Sequence, residues 1–234
     1  MQKNRKMSKR RLKAKALLID LDGTIVDSSE AFAEAAKTAL SAIGCNQSSD
    51  NVGWEIARRL QLNLPIDDLF AGTCIHEAEA LREKFLALFL QAFYKIAQDR
   101  TKPFPDVDKT LRNLSESFQL ALITRRPVSK ELVKKELQRL RLDGYFATIV
   151  TAAEVKNPTP SPETILKVAN EFQVPSHSCV IVSDSGVDIQ AGRSAGAKTV
   201  AVLSGLFKKE ELSKEMPDLI LENITHLSEH LLAI

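Results

Sequence analysis

Residues 16 to 28 read ALLIDLDGTIVDS: an apolar run ends on two carboxylates, Asp20 and Asp22, and Gly23 and Thr24 follow at once. Two like charges so close repel, and one tends to hold a proton unless a cation lies between them. The stretch asks for a metal, a reacting group, or both. Further along, the run ALIT ends in Thr124, and VIVSD ends in Ser183 and Asp184 with Asp188 four residues on. In an extended chain Asp20 and Asp22, at i and i+2, point to the same side, and Gly23 permits a sharp turn. Any one of these acids would serve as an ordinary helix cap at a strand end. Three of them at two strand ends, with a hydroxyl at another, make a site. Hard carboxylates without His or Cys suit Mg²⁺, which prefers oxygen and keeps waters for a phosphate to replace. Asp20, Asp22, Asp184 and Asp188 are therefore the candidate metal ligands.

The elements that must position these residues are legible in the periodicity. FQLALIT, FATIVTA, SCVIVSD, AKTVAVL and the weaker PDLILE read as short strands. Helical patterns separate them, over 106–117, 128–140, 162–173, 187–195, 208–215 and 224–232. Short apolar strands alternating with helices predict a parallel sheet covered on both faces, a Rossmann-like α/β core. Ligands in such folds bind at the carboxyl ends of the strands, where the acids lie.

Between the first strand and this alternation the pattern is helical. SSEAFAEAAKTALSAIG has Ser at its start, an alanine-rich face and a closing Gly44. NVGWEIARRLQLN is a second helix. From His76 to Gln98 a stripe of Leu81, Phe85, Leu88, Phe89, Ala92, Phe93 and Ile96 repeats at helical spacing. The two prolines of TKPFPDV end that block. The expected organisation is a basic leader over 1–14, an α/β core from 15–27 and 101–234, and an inserted helical cap over 28–100.

Composition bounds the function classes. Of 234 residues 44% are hydrophobic and 26% charged, the balance of a water-soluble globular chain. No apolar run approaches the roughly 18 residues a membrane helix needs, so a cytoplasmic protein is expected. Cys45, Cys74 and Cys179 are odd in number and widely spaced, which argues against a disulfide framework or a zinc knuckle. Residues 1 to 15 carry eight Lys or Arg and no acid; without them 24 basic residues face 30 acidic ones. Such a leader reads as disordered and solubilising. Contact with nucleic acid is the functional alternative, disfavoured because no aromatic residues interleave the basic ones. His226 and His230, at i and i+4, read as an exposed helix face rather than a zinc pair, since no third ligand lies near.

DLDGTIVDS, LITRRP, NPTPSPE and VSDSGVDIQAGRSAGAKTVAV resemble, in order, the four motifs of the haloacid dehalogenase-like superfamily, and most closely its phosphoglycolate phosphatase-like branch with a helical cap. The resemblance runs from about Lys15 over nearly the whole chain. It implies that Asp20 attacks phosphorus to form an aspartyl-phosphate, and that Asp22 protonates the leaving oxygen and then activates water. It implies that Thr124 holds a phosphoryl oxygen, with Gly23 and Thr24 at the phosphate, and that Asp184 binds Mg²⁺ with Asp188 in support. An acid at position 22 favours phosphoryl transfer, because displacing halide from carbon needs no proton on the leaving group. From NVGWEIARRL, the segment matching the part of the cap that enters the site, Gly53, Trp54 and Arg58 are the candidates for substrate contact.

One departure matters. The third motif of the family reads Lys-Pro-x-Pro, and Thr159 stands in the lysine position here. Lys156, three residues upstream, and Arg125, beside Thr124, are the candidates for the missing charge. Losing such a preorganised charge costs on the order of 10²–10³ in rate. The leading expectation is a Mg²⁺-dependent phosphatase of small phosphorylated metabolites, phosphoglycolate among them, working as monomer or homodimer. The alternatives are a weakened relative that binds phosphorylated ligands or a protein partner, and a phosphomutase.

Overall fold

The computed structural model describes residues 11–45, 52–62, 64–66, 69 and 79–234. The chain opens with β1 (Leu12–Ala14), β2 (Ala16–Asp20) and β3 (Val26–Asp27), followed by helices α1 (Ser29–Ala42), α2 (Val52–Leu62) and α3 (Glu79–Arg100). It returns through β4 (Lys102–Pro103) to α4 (Val107–Ser115), β5 (Gln119–Thr124), α5 (Lys130–Leu140) and β6 (Thr148–Thr151). Then come α6 (Glu163–Glu171), β7 (Cys179–Ser183), α7 (Gly186–Ser194), β8 (Lys198–Val202), α8 (Lys209–Lys214), β9 (Leu219–Leu221) and β10 (Leu231–Ala233).

Six strands form one sheet in the order β6-β5-β2-β7-β8-β9, every neighbouring pair parallel. Strand side chains alternate between faces, and here both faces are apolar. Leu17 and Ile19 lie in one buried cluster with Leu111 and Leu114 of α4 and Val133 and Leu137 of α5. Ala16 and Leu18 lie in the other, with Ile165 and Val168 of α6 and Ala191 of α7. Burying each such leucine stabilises the fold by roughly 1.5–3 kcal/mol. Close packing has one strict requirement at Gly192, where a Cβ would stand 2.5 Å from Ile181 Cγ2.

The insertion leaves and rejoins the core through an antiparallel ribbon, in which Val26 faces Pro103 and Asp27 faces Lys102. Ala31, Ala35, Ala36 and Ala39 give α1 a shallow face, and Phe85, Phe89 and Phe93 of α3 fill against it. The same apolar cluster continues into the core through Ile189, Ala201, Leu206 and Phe207, while α3 also packs against α5 on the other side of β2. Gly44, at φ +79°, closes α1 in a left-handed turn.

Two expectations are corrected at the ends. The 224–232 segment is a 3₁₀ helix over Ile224–His230 followed by a strand, so His226 and His230 do not share an α-helical face. That strand, β10, pairs in parallel with β1, which draws Leu12, Lys13 and Ala14 of the expected leader into the fold. The first ten residues of the basic leader, Cys74 and His76 lie outside the described residues. Cys45 and Cys179 are buried free thiols. Among the described residues no helix is long and apolar enough to cross a membrane.

Candidate active site

The strand order reverses around β2: β5 and β6 extend the sheet to one side of it, β7, β8 and β9 to the other. A crevice opens at the carboxyl ends where such a reversal occurs. Asp20 ends β2, Thr124 ends β5, and Asp184 follows β7, so the alternation places all three at that crevice. Asp20, Thr24, Thr124, Asp184 and Asp188 are all buried.

Hydroxyls knit the acids together. Ser183 Oγ lies 2.8 Å from Asp188 Oδ2 and 3.3 Å from Asp20 Oδ2. Thr24 Oγ1 stands 3.4 Å from Asp20 Oδ2 and accepts the Asp184 N–H at 3.1 Å. Asp184 sits in a cradle of backbone. Leu206 N–H donates to its Oδ2 at 2.8 Å, and a Cβ on Gly205 or Gly23 would come within 1.9 or 2.5 Å of that oxygen. Gly23 also holds φ at +78°, a conformation glycine adopts without strain.

The electrostatics are those of crowded carboxylates. Burial, then the charges of Asp188, Asp184 and Asp22, push the Asp20 carboxyl well above its ordinary range. Burial pushes Asp184 up to about 7 against the Leu206 N–H, with Asp188 and Asp22 adding to the rise. Burial raises Asp188 too, opposed by the charge of Arg125 and the Ser183 hydroxyl. The Oδ1 atoms of Asp184 and Asp188 are buried with no hydrogen bond of ordinary geometry, and the one hydroxyl near Asp188 besides Ser183, that of Thr159, is likewise unpaired. Buried polar oxygens are ordinarily paired, and a hard divalent cation satisfies such atoms while offsetting the repulsion. The donor set therefore fits Mg²⁺.

Asp22 is engaged by an arginine. Its Oδ2 accepts Arg126 Nε at 2.7 Å and its Oδ1 accepts Arg126 Nη2 at 2.5 Å, and the Ser28 hydroxyl also donates to Oδ1. Both of its oxygens are thus held by a guanidinium. Among the described residues no three His, Cys, Asp or Glu side chains form a ready metal cage.

Arg126 escaped the sequence reading. It is 4% exposed and binds Glu136 Oε2 through Nη1 at 2.5 Å. Its guanidinium carbon stands 5.2 Å from the ring centroid of Phe93. Burial works against its charge, but Asp22 and Glu136 more than offset that and keep it protonated. Burial pushes the Glu136 carboxyl up, against the pull of Arg126. Nothing in LITRRP separates this arginine from Arg125; both border the space under the cap, but only Arg126 is buried and paired with Asp22. Ser28 stands at the start of α1, yet it caps nothing with its side chain and serves Asp22 instead.

Two hollows meet at Asp20. A narrow one is lined by Asp20, Thr124, Arg125, Thr159 and Asp188, so Thr159 does occupy the edge of the site where the motif places a lysine. A larger cavity of about 140 Å³ lies under the cap and is shared by Asp20, Asp22, Arg125, Arg126 and Ser185 with helices α1, α2 and α3. Arg125 lines both and reaches Ser185 Oγ at 3.4 Å. Lys156 lines neither: it is exposed, and its backbone N–H donates to Glu163 Oε1 at 2.8 Å. Gly53 and Arg58 line neither as well. Gly53 lets α2 cross α1, since a Cβ there would stand 2.0 Å from Phe32 O. Arg58 pairs with Glu55 at 3.3 Å and with Glu211 of α8. Trp54 is 37% exposed. Ala57 and Leu60 are what α2 presents to the cavity.

The family model of haloacid dehalogenase-like hydrolases matches residues 17–202, from within β2 through β8. The chain belongs to that family. A relative from Aquifex aeolicus (strain VF5), named phosphoglycolate phosphatase, is 32% identical over 217 residues, covering 91% of this chain and 94% of its own. Another of that name, from Pseudomonas syringae pv. tomato, is 29% identical and covers 91% of this chain and 78% of its own. In three dimensions, a haloacid dehalogenase-like hydrolase family protein from Streptococcus pneumoniae superposes with a TM-score of 0.74 at 20% identity. That superposition covers 92% of this chain and 97% of the other, and it establishes a shared fold.

Proposed function

We propose that this haloacid dehalogenase-like phosphatase is Mg²⁺-dependent and hydrolyses small phosphorylated metabolites through a phosphoryl group carried on Asp20. The observation that carries the reading is the pair of orphaned oxygens on Asp184 and Asp188 beside Asp20, at the crevice of the sheet. Asp20 and Asp184 would hold the ion, with Asp188 behind them. The chemistry an ion supplies there is neutralisation of charge between carboxylate and ester.

A carboxylate oxygen of Asp20 forms a bond to phosphorus as the bond to the leaving oxygen breaks. The Thr124 hydroxyl and the Arg125 guanidinium hold the phosphoryl oxygens. Asp22, released from Arg126 and protonated from solvent before the ester breaks, gives that proton to the leaving oxygen and then takes one from the water that frees Asp20. The name carried by the relatives makes phosphoglycolate one candidate substrate. Thr159 favours a second reading, a weakened relative that binds phosphorylated ligands and turns them over slowly.

The test is a phosphate-release screen over a metabolite panel, with Mg²⁺ and with EDTA. Turnover of at least one metabolite is expected, lost reversibly in EDTA and abolished in Asp20→Asn, which is nearly isosteric but cannot attack. Substantial turnover by Asp20→Asn would overturn the mechanism. Binding without turnover in the unmodified protein would favour the second reading.

A further inference from the structure

Resting on the phosphatase reading, we infer that the alcohol released from the ester is uncharged and apolar, about the size of one six-membered ring, rather than a carboxylate-bearing alcohol such as glycolate. The part of the 140 Å³ cavity beyond Asp20 and Asp22 is walled by Ala57, Leu60, Phe89, Leu90, Phe93 and Tyr94. Phe93 is braced by Phe32, ring on ring at 4.3 Å and 16°, so this wall is flat and aromatic. The whole cavity, its charged end included, is close to the roughly 150 Å³ that accommodates a benzene ring, so one ring is the upper limit for the apolar part.

Charge argues the same way. Phosphoglycolate presents a carboxylate on its leaving side, and a carboxylate buried without a cation is strongly disfavoured. Two cations border the cavity. Arg126 stays paired with the buried Glu136 even when Asp22 is released, and Arg125 faces the acids around the phosphate position. The insertion contributes none: of its seven Lys and Arg residues, not one lines the cavity. Arg58 is turned out to Glu55 and Glu211, and Arg59 to Glu55 and the Pro65 carbonyl. The stretches of the insertion outside the described residues contain no Lys or Arg, and His76 is their one basic side chain. Among the described residues the cap therefore offers a leaving group apolar surface, ring faces and the Tyr94 phenol.

The experiment compares kcat/KM for benzyl phosphate, 4-carboxybenzyl phosphate and phosphoglycolate, three esters of primary alcohols, on the full-length Mg²⁺-loaded protein. Benzyl phosphate should exceed each of the other two by at least about tenfold. Leu90→Lys, which places a cation in the wall, should narrow or invert both ratios; Leu60→Lys serves if that variant does not fold. Phosphoglycolate or the carboxylated ester matching benzyl phosphate would overturn the inference and leave the phosphatase reading standing. If no ester is turned over, calorimetric titration with benzylphosphonate and phosphonoacetate separates the two ideas. Preference for benzylphosphonate would support the ligand class while the phosphatase reading falls, and equal or opposite preference would overturn both.

Discussion

Arg126 grips Asp22 with two prongs, Nε to Oδ2 at 2.7 Å and Nη2 to Oδ1 at 2.5 Å. The pairing extends to both crossings between core and cap. Ser28, just after β3, donates to Asp22 directly. Thr101, just before β4, donates to Glu136 Oε1 at 2.6 Å, and Glu136 holds Arg126 from behind. The residue assigned to proton transfer is thus linked to the two segments that join the cap to the core.

Arg126→Ala should destabilise the protein by about 3–5 kcal/mol, because it leaves the buried Glu136 carboxylate unpaired. Adding Glu136→Leu should recover much of that stability, read by thermal unfolding, without recovering kcat. Arg126→Lys keeps the charge but loses the fork, so it should lower kcat more than it lowers Tm. A kcat unchanged in Arg126→Lys would mean the fork is structural only.

The positive charge at the phosphate should come from Arg125, which lines both hollows, rather than from the exposed Lys156. Arg125→Ala should lower kcat by about 10²–10³, while Lys156→Ala should stay within about twofold. Thr159→Lys, at the edge of the narrow hollow, should restore part of the rate to Arg125→Ala. Steady-state kinetics of the three variants decide it, and a tenfold loss in Lys156→Ala would return the role to that residue.

Stability should depend on pH in a way Mg²⁺ corrects. Asp184 is pushed up to about 7 in the fold, from an ordinary 3.8 in the open chain. The folded state therefore binds the extra proton, and this contribution is present below about pH 4 and lost as pH rises through 7. In EDTA the contribution of this group to Tm should fall between pH 5 and 8. Mg²⁺ should raise Tm more at pH 8 than at pH 5, by a difference on the order of 5 °C. An increment equal at both pH values would argue that Asp184 does not meet the ion.

Gly205 should tolerate no side chain. A Cβ would stand 1.9 Å from Asp184 Oδ2, so Gly205→Ala must displace the carboxylate from its cradle. The expected result is a loss of Mg²⁺ affinity of at least about tenfold, measured by calorimetry, with far-ultraviolet circular dichroism unchanged. Unaltered Mg²⁺ binding would place the ion away from Asp184.

The core, its sheet and the strand-end acids were legible because their signals are local. Leu17 to Asp20 is a buried run ended by a charge, and each later strand repeats that form between helices of clear period. Asp20, Thr124 and Asp184 meet because parallel strands carry their ends to one edge, so strand order alone brings them together. The cap helices were legible for the same reason, in the alanine face of α1 and the phenylalanines of α3.

Direction of side chains was decided only in three dimensions. Asp22 read as a fourth ligand because i and i+2 share a side; the turn at Gly23 and the depth of Arg126 send it to a guanidinium 104 residues away in the chain. Arg125 and Arg126 are neighbours of one type, and a rotation of the chain after Thr124 gives them opposite surroundings. Arg58 carried the right charge for a substrate contact, yet Glu211 of α8, remote in sequence, draws it outward. The weak pattern of β1 and β10 became strand because each completes the other's hydrogen bonds, from Leu12 beside Leu231 to Ala14 beside Ala233. Spacing along a chain fixes which residues can share a site. Which of them turn toward it depends on distant partners that a local pattern does not contain.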